Sequence, residues 1–134
     1  MALGYSTAIR NAMLDAITSA AGASALLRIY DGARPGTTGG TATNVLATLT
    51  CNATFAPASS GGVLTLNAIT SGTGTAAAGA GTTATWFRIT TSGGTLICDG
   101  SISTSGSDLN LSSTTIANGQ TVAISSFTIT EGNP

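Results

Sequence analysis

The sequence predicts a mainly β protein: an antiparallel β-sandwich or barrel-like domain carrying one N-terminal α-helix. Three observations lead there. A single segment near the start repeats its apolar residues at three- and four-residue steps. Beyond it, short runs of alternating apolar and polar residues are separated by Gly-rich turn strings. Thr is abundant, and its β-branched side chain suits a pleated strand and a wetted face without adding charge. At 134 residues the chain reads as one domain. An N-terminal arm and helix over 1–22 is assigned to assembly contacts, and 23–134 forms a single β-rich domain.

The helix is expected over 6–21. Ser6 or Thr7 caps it by accepting a free backbone N–H. Ile9, Met13, Ala16, Ile17 and Ala20 form one apolar stripe. Gly22 stops it, because glycine takes a left-handed conformation without a Cβ clash. The first strand, 25–30, ends at Asp31-Gly32, and 34–40 is a loop by composition. Val45, Ala47, Leu49 and Cys51 alternate with more polar neighbours, so 44–54 is a half-buried strand. A further strand covers 63–69. Residues 71–83 are only Ser, Gly, Thr and Ala. With no large side chain to anchor it, this stretch is expected to be a long flexible loop or one ordered by a partner.

Strands over 84–91, 95–103, 108–111 and 121–130 complete the set. The last changes phase: Val122 and Ile124 share one face, Phe127 and Ile129 the other. A bulge or corner near Ser125-Ser126 lets both pairs face the core. Ser60-Gly61-Gly62-Val63 and Ser92-Gly93-Gly94-Thr95 suggest two hairpins sharing one turn chemistry.

Only nine side chains are acidic or basic: Arg10, Arg28, Arg34, Arg88, Asp15, Asp31, Asp99, Asp108 and Glu131. At 7% charged residues, against about 25% in an average domain, whole classes of function drop out. Without His there is no histidine base, metal ligand or pH switch. Four Arg and no Lys do not make the clustered basic surface of a nucleic-acid binder. No run approaches the roughly 20 apolar residues of a membrane helix, so no membrane partner is expected. No basic-then-apolar leader is read at the N-terminus, and use in a reducing cytoplasm is expected. Cys51 and Cys98 then read as small buried hydrophobes, without a basic neighbour to activate them. A net charge of −1 favours self-association.

No catalytic site, cofactor or metal site is expected. A serine triad lacks its base, and a Ser–Lys dyad lacks its lysine. No phosphate-binding glycine motif occurs. The acidic residues lack the spacing of a calcium loop. Asp99 and Asp108 are the nearest thing to a carboxylate pair for glycan hydrolysis. Asp99-Gly100 and Ser107-Asp108 read more simply as turns. Arg28 and Arg88 sit in apolar strands and are expected to face solvent or pair with an Asp across the sheet. Trp86 and Tyr30 either fill the core or anchor a partner. Arg34, in its loop, is the better surface contact. The candidate interface residues are therefore Ile9, Met13, Ile17, Arg34 and Trp86.

Several strings in fixed order carry a resemblance: residues 6–15 (STAIRNAMLD), 26–32 (LLRIYDG), Arg34-Pro35, 86–89 (WFRI), 99–102 (DGSI), 108–111 (DLNL) and 119–130 (GQTVAISSFTIT). Together they resemble a family of small tailed-phage proteins that act as minor capsid, decoration or cement proteins, over nearly the whole chain. The resemblance implies a structural protein of the capsid surface, assembled in the host cytoplasm. Its partners would be the major capsid protein and further copies of itself, as a homotrimer. The alternative is a tail- or fibre-associated structural or receptor-binding module.

Overall fold

The computed structural model describes residues 3–132. The ends of the expected arm and of the β-rich domain (Met1, Ala2, Asn133 and Pro134) lie outside the described residues. The chain is mainly β with one N-terminal helix, as its sequence predicts. In order come α1 (Thr7–Ala21), β1 (Leu26–Tyr30), β2 (Val45–Thr50), β3 (Val63–Thr65), β4 (Gly72–Thr73), a short 3-10 turn (Ala76–Ala78) and β5 (Thr82–Thr83). Then follow β6 (Trp86–Thr90), β7 (Leu96–Ser103), β8 (Leu109–Asn110), β9 (Thr115–Ile116), β10 (Thr121–Val122) and β11 (Thr128–Thr130).

The scaffold is one five-stranded sheet, ordered β2-β1-β6-β7-β8. All its pairs are antiparallel except β7 with β8. Its register explains the core. Leu27 lies between Leu49 and Ile89, and Ile29 between Ala47 and Phe87. Cross-strand partners share a face, so these side chains form one continuous apolar layer, and all are buried. The layer is closed by Leu14 and Ala21 of α1, by Phe55 and Leu64, and by Ile116, Val122, Ile124 and Phe127 from the second half of the chain.

The other face of the sheet is also covered. Tyr30 and Trp86 are register partners whose rings stack at 4.2 Å between centroids. The segment after β1 folds back over them. Trp86 Nε1 donates to the Asp31 carbonyl at 3.0 Å and to Thr43 Oγ1 at 3.1 Å. Arg88 lies over the Trp86 ring and pairs with its register partner Asp99, Nε to Oδ1 at 2.6 Å and Nη2 to Oδ2 at 2.8 Å. The same Arg88 donates to the Gly40 carbonyl, and the Gly39 N–H donates to Asp99. This is the cross-sheet Arg–Asp pairing expected for Arg88. Arg28 instead reaches Thr90 Oγ1 at 3.3 Å.

Three expectations are corrected. Asp99-Gly100 is not a turn: both residues lie inside β7. Gly100 is required by close approach, since a Cβ there would sit 2.4 Å from the Phe87 ring, which packs edge-on against Phe127. The stretch 71–83 is not a loose loop. It contains β4, the 3-10 turn and β5, held by backbone bonds from Gly74 to Gln120, Thr75 to Leu46 and Asn118 to Gly79. Its small residues let backbone pack on backbone. Finally, the two Gly-Gly turns differ. Gly61 and Gly62 both have positive φ, and Ser60 and Val63 exchange two backbone bonds, as in a two-residue hairpin. In the second, Thr91 pairs with Thr95 and only Gly94 has positive φ, giving a three-residue connection.

The phase change in 121–130 is real. Val122 pairs with β4, and the chain then leaves that sheet so that 128–130 pairs with β3. Val122, Ile124 and Phe127 are all buried by this corner, and Ile129 partly so.

Candidate interaction surface

Helix α1 starts where Ser6, in extended conformation, accepts the Ile9 N–H at 3.3 Å. It ends at Gly22, whose N–H returns to the Thr18 carbonyl and whose φ is 65°. The helix is clamped by its polar flank. Asn11 Oδ1 accepts the Gly62 N–H at 2.9 Å, and Asp15 Oδ1 accepts the Ser59 N–H at 2.8 Å. Ser59 Oγ donates to the Asn11 carbonyl at 2.9 Å, and Arg10 donates to the Glu131 carbonyl at 3.0 Å. Leu14 and Ala21 supply the buried apolar contact.

This docking splits the stripe read from the sequence. Ile17 faces inward and packs against the core. Ile9 is 49% exposed and Met13 41% exposed, with Ala16 and Ala20 exposed alongside. At steps of four, three and four residues these four lie within one narrow sector of the helix. They form an outward apolar strip without a charged residue. Polar anchoring of the Asn11–Asp15 side, to a hairpin some fifty positions away, had no local signal in the sequence. The apolar period alone does not say which flank of a stripe meets the core.

The other candidates separate. Arg34 is exposed and faces Asp108 at 3.9 Å, a surface pair worth about 0–1 kcal/mol. Arg34 and Ile17 border a depression of about 710 Å3 beside β7 and β11. Trp86 is a correction: it is 0% exposed, stacked on Tyr30 beneath the segment after β1, and presents nothing to a partner.

The electrostatics are those of structural carboxylates. Hydrogen bonds from Arg88 hold Asp99 below the ordinary carboxylate range. The N–H and hydroxyl of Ser101 do the same for Asp108, and the Asn44 side chain for Asp31. Acid–base work by a carboxylate pair needs the two pKa values pushed apart; here both move down. Burial pushes the Cys51 and Cys98 thiols up to about 11, and both are free. Among the described residues no three metal-ligating side chains come together, and no helix is long and apolar enough to cross a membrane.

These shifts have a pH consequence. A carboxylate depressed on folding stabilises the native state fully above its unfolded pKa of about 3.9 and loses that contribution as pH falls through its lower folded value. With three such groups and no His, the melting temperature is expected to stay flat from pH 8 to 5 and to fall steeply below pH 4. Calorimetry across that range checks it. A melting temperature unchanged at pH 2.5 would show that the carboxylate bonds do not form.

Comparison with known proteins finds no matching family model, no matching curated protein and no matching solved structure.

Proposed function

We propose that this chain is a virion structural protein, a capsid decoration (cement or minor capsid) protein that binds the head surface of a tailed phage and stabilises the shell. The observation that carries this reading is the outward strip of α1. Large apolar side chains, Ile9 and Met13, stand half exposed on a chain with very few charges. Contact with a neighbour removes that strip from water at about 25 cal/mol per Å2. Few ions must be desolvated when such a surface is pressed against another chain. Two of the four arginines face carboxylates, which leaves little positive charge for nucleic acid. The resemblance of the ordered strings to phage minor capsid and cement proteins points the same way. In this reading the partners are the major capsid protein and further copies of the chain, as a homotrimer.

The test is to mix purified protein with expanded, undecorated heads and measure what co-sediments. Stoichiometric, saturable binding is expected, with heads that then resist heating or internal DNA pressure better. Absence of binding, with mature heads that contain none of the protein, overturns the head assignment. Immunogold label confined to the tail would replace it with a tail- or fibre-associated structural role.

A further inference from the structure

We propose that Asn118-Gly119 is a covalent modification site that the fold keeps closed, and that its deamidation makes opening of the corner around Gly74 irreversible. The inference goes beyond the shell reading and does not rest on it.

Seven asparagines occur, and only Asn118 precedes a glycine. That order matters chemically. Deamidation begins when the backbone nitrogen of the next residue attacks the asparagine Cγ. A glycine nitrogen has no neighbouring Cβ to hinder its approach. The N–Cγ bond forms, the Cγ–Nδ2 bond breaks, and ammonia leaves with the proton that the Gly119 N–H gives up. The product is a cyclic imide, and water then opens it at one of its two carbonyls. Opening at Cγ leaves an aspartate. Opening at the main-chain carbonyl leaves an isoaspartate, whose backbone runs through the former side chain and is longer by one carbon. Water is the only co-reactant, and nothing is oxidised or reduced.

The structure withholds the nucleophile. Residues 117–120 form the turn between β9 and β10, closed by the Gln120 N–H to the Ala117 carbonyl at 3.1 Å. Gly119 has φ 80°, the value this turn position demands of glycine. Its N–H donates to the Gly74 carbonyl at 2.9 Å. The Asn118 N–H donates to the Gly79 carbonyl at 2.8 Å, and the Ala117 N–H to Gln120 Oε1 at 2.9 Å. Every amide of the turn is therefore bound. Gly74 is buried, and its own N–H donates to the Gln120 carbonyl at 2.7 Å. Before the Gly119 nitrogen can swing onto Cγ, its bond to Gly74 must break and the turn must open. Asn118 and Gly119 are exposed, so water is already at hand. The reaction rate then follows the population in which this corner is open. An isoaspartate does not resume the turn. With a carbon added to the backbone, the N–H groups at 118 and 119 no longer match Gly79 and Gly74. The packing leaves no slack to absorb it, since even a Cβ on Gly74 would stand 1.9 Å from the Ala117 carbonyl oxygen. A chain that opens here and reacts leaves the native population for good.

Peptide mass spectrometry tests the site, by following the mass gain of amide-to-acid conversion at position 118. Full-length wild type, Gly74→Ala and Asn118→Gln are incubated in mildly alkaline buffer with and without guanidinium chloride. The wild type is expected to convert at least about a hundredfold more slowly in buffer than when unfolded. In buffer, Gly74→Ala is expected to convert about thirtyfold faster than the wild type, as its loss of stability enlarges the open population. The wild-type comparison decides the gating even where Gly74→Ala does not fold. After the guanidinium is removed, wild-type chains should fail to regain protease resistance over 71–83 in proportion to their isoaspartate content. Asn118→Gln chains, whose longer side chain disfavours the ring closure, should recover it. Equal conversion of folded and unfolded wild type overturns the gating. Isoaspartate chains that regain full resistance overturn the irreversibility.

Discussion

A Gly74→Ala chain is expected to lose about 2–4 kcal/mol of stability, the cost of overpacking a site that cannot relax. The added Cβ would stand 1.9 Å from the Ala117 carbonyl oxygen and 2.9 Å from its carbon. Both are backbone atoms, so no side chain can swing aside. Gly74 also donates to Gln120 at 2.7 Å and accepts from Gly119 at 2.9 Å. Any shift that relieves the clash disturbs the pairing of β4 with β10. Gly36 is the control, since nothing lies within 4 Å of a Cβ there and its φ is ordinary. Gly36→Ala should change stability by no more than about 0.5 kcal/mol. Chemical denaturation gives the difference, and limited proteolysis locates it: 71–83 should resist cleavage in the wild type and become sensitive in Gly74→Ala. Equal stability of the two variants would mean that the small-residue stretch is not packed as described.

The second large effect is on assembly and not on folding. Replacing Ile9 and Met13 together by Asp should abolish binding to undecorated heads while the melting temperature stays close to that of the wild type. Both side chains stand outside the core, so their loss leaves no cavity. Two carboxylates on the strip, by contrast, must be desolvated in any apolar contact, at a cost of several kcal/mol each. Leu14→Ala is the opposite case. Leu14 is buried between the helix and the sheet, and its truncation should cost about 2–5 kcal/mol of stability. A double Asp variant that still binds at full stoichiometry would remove α1 from the contact.

These two variants mark the limits of what the residues alone disclose. The helix was legible from its Ser6 cap, its Gly22 stop and its apolar period. β1, β6 and β7 were legible because Leu27/Ile29, Phe87/Ile89 and Ile102 alternate as a half-buried strand requires. The corner near Ser125-Ser126 was legible from the phase change alone. What the residues did not disclose depends on contacts distant in sequence. Asp99-Gly100 has turn chemistry, but the Phe87 ring claims the empty space above Gly100 and Arg88 claims the carboxylate. Residues 71–83 look unanchored because their anchors are backbone groups, which every residue type carries. Trp86 is buried by a segment whose composition reads as loop, and Ile17 parts from Ile9 and Met13 because Asn11 and Asp15 fix the roll of the helix. The candidate surface was therefore half legible. Its residue types were visible, and their division between outer strip, depression and core was not.

The central claim is that this chain works as a structural unit of a virion, bound through the outer face of α1. A cryo-electron map of the virion tests it most directly. The account predicts many ordered copies on the head surface, each with Ile9 and Met13 buried against a neighbouring chain. A virion without the protein, or bound copies whose α1 strip faces solvent, would contradict it.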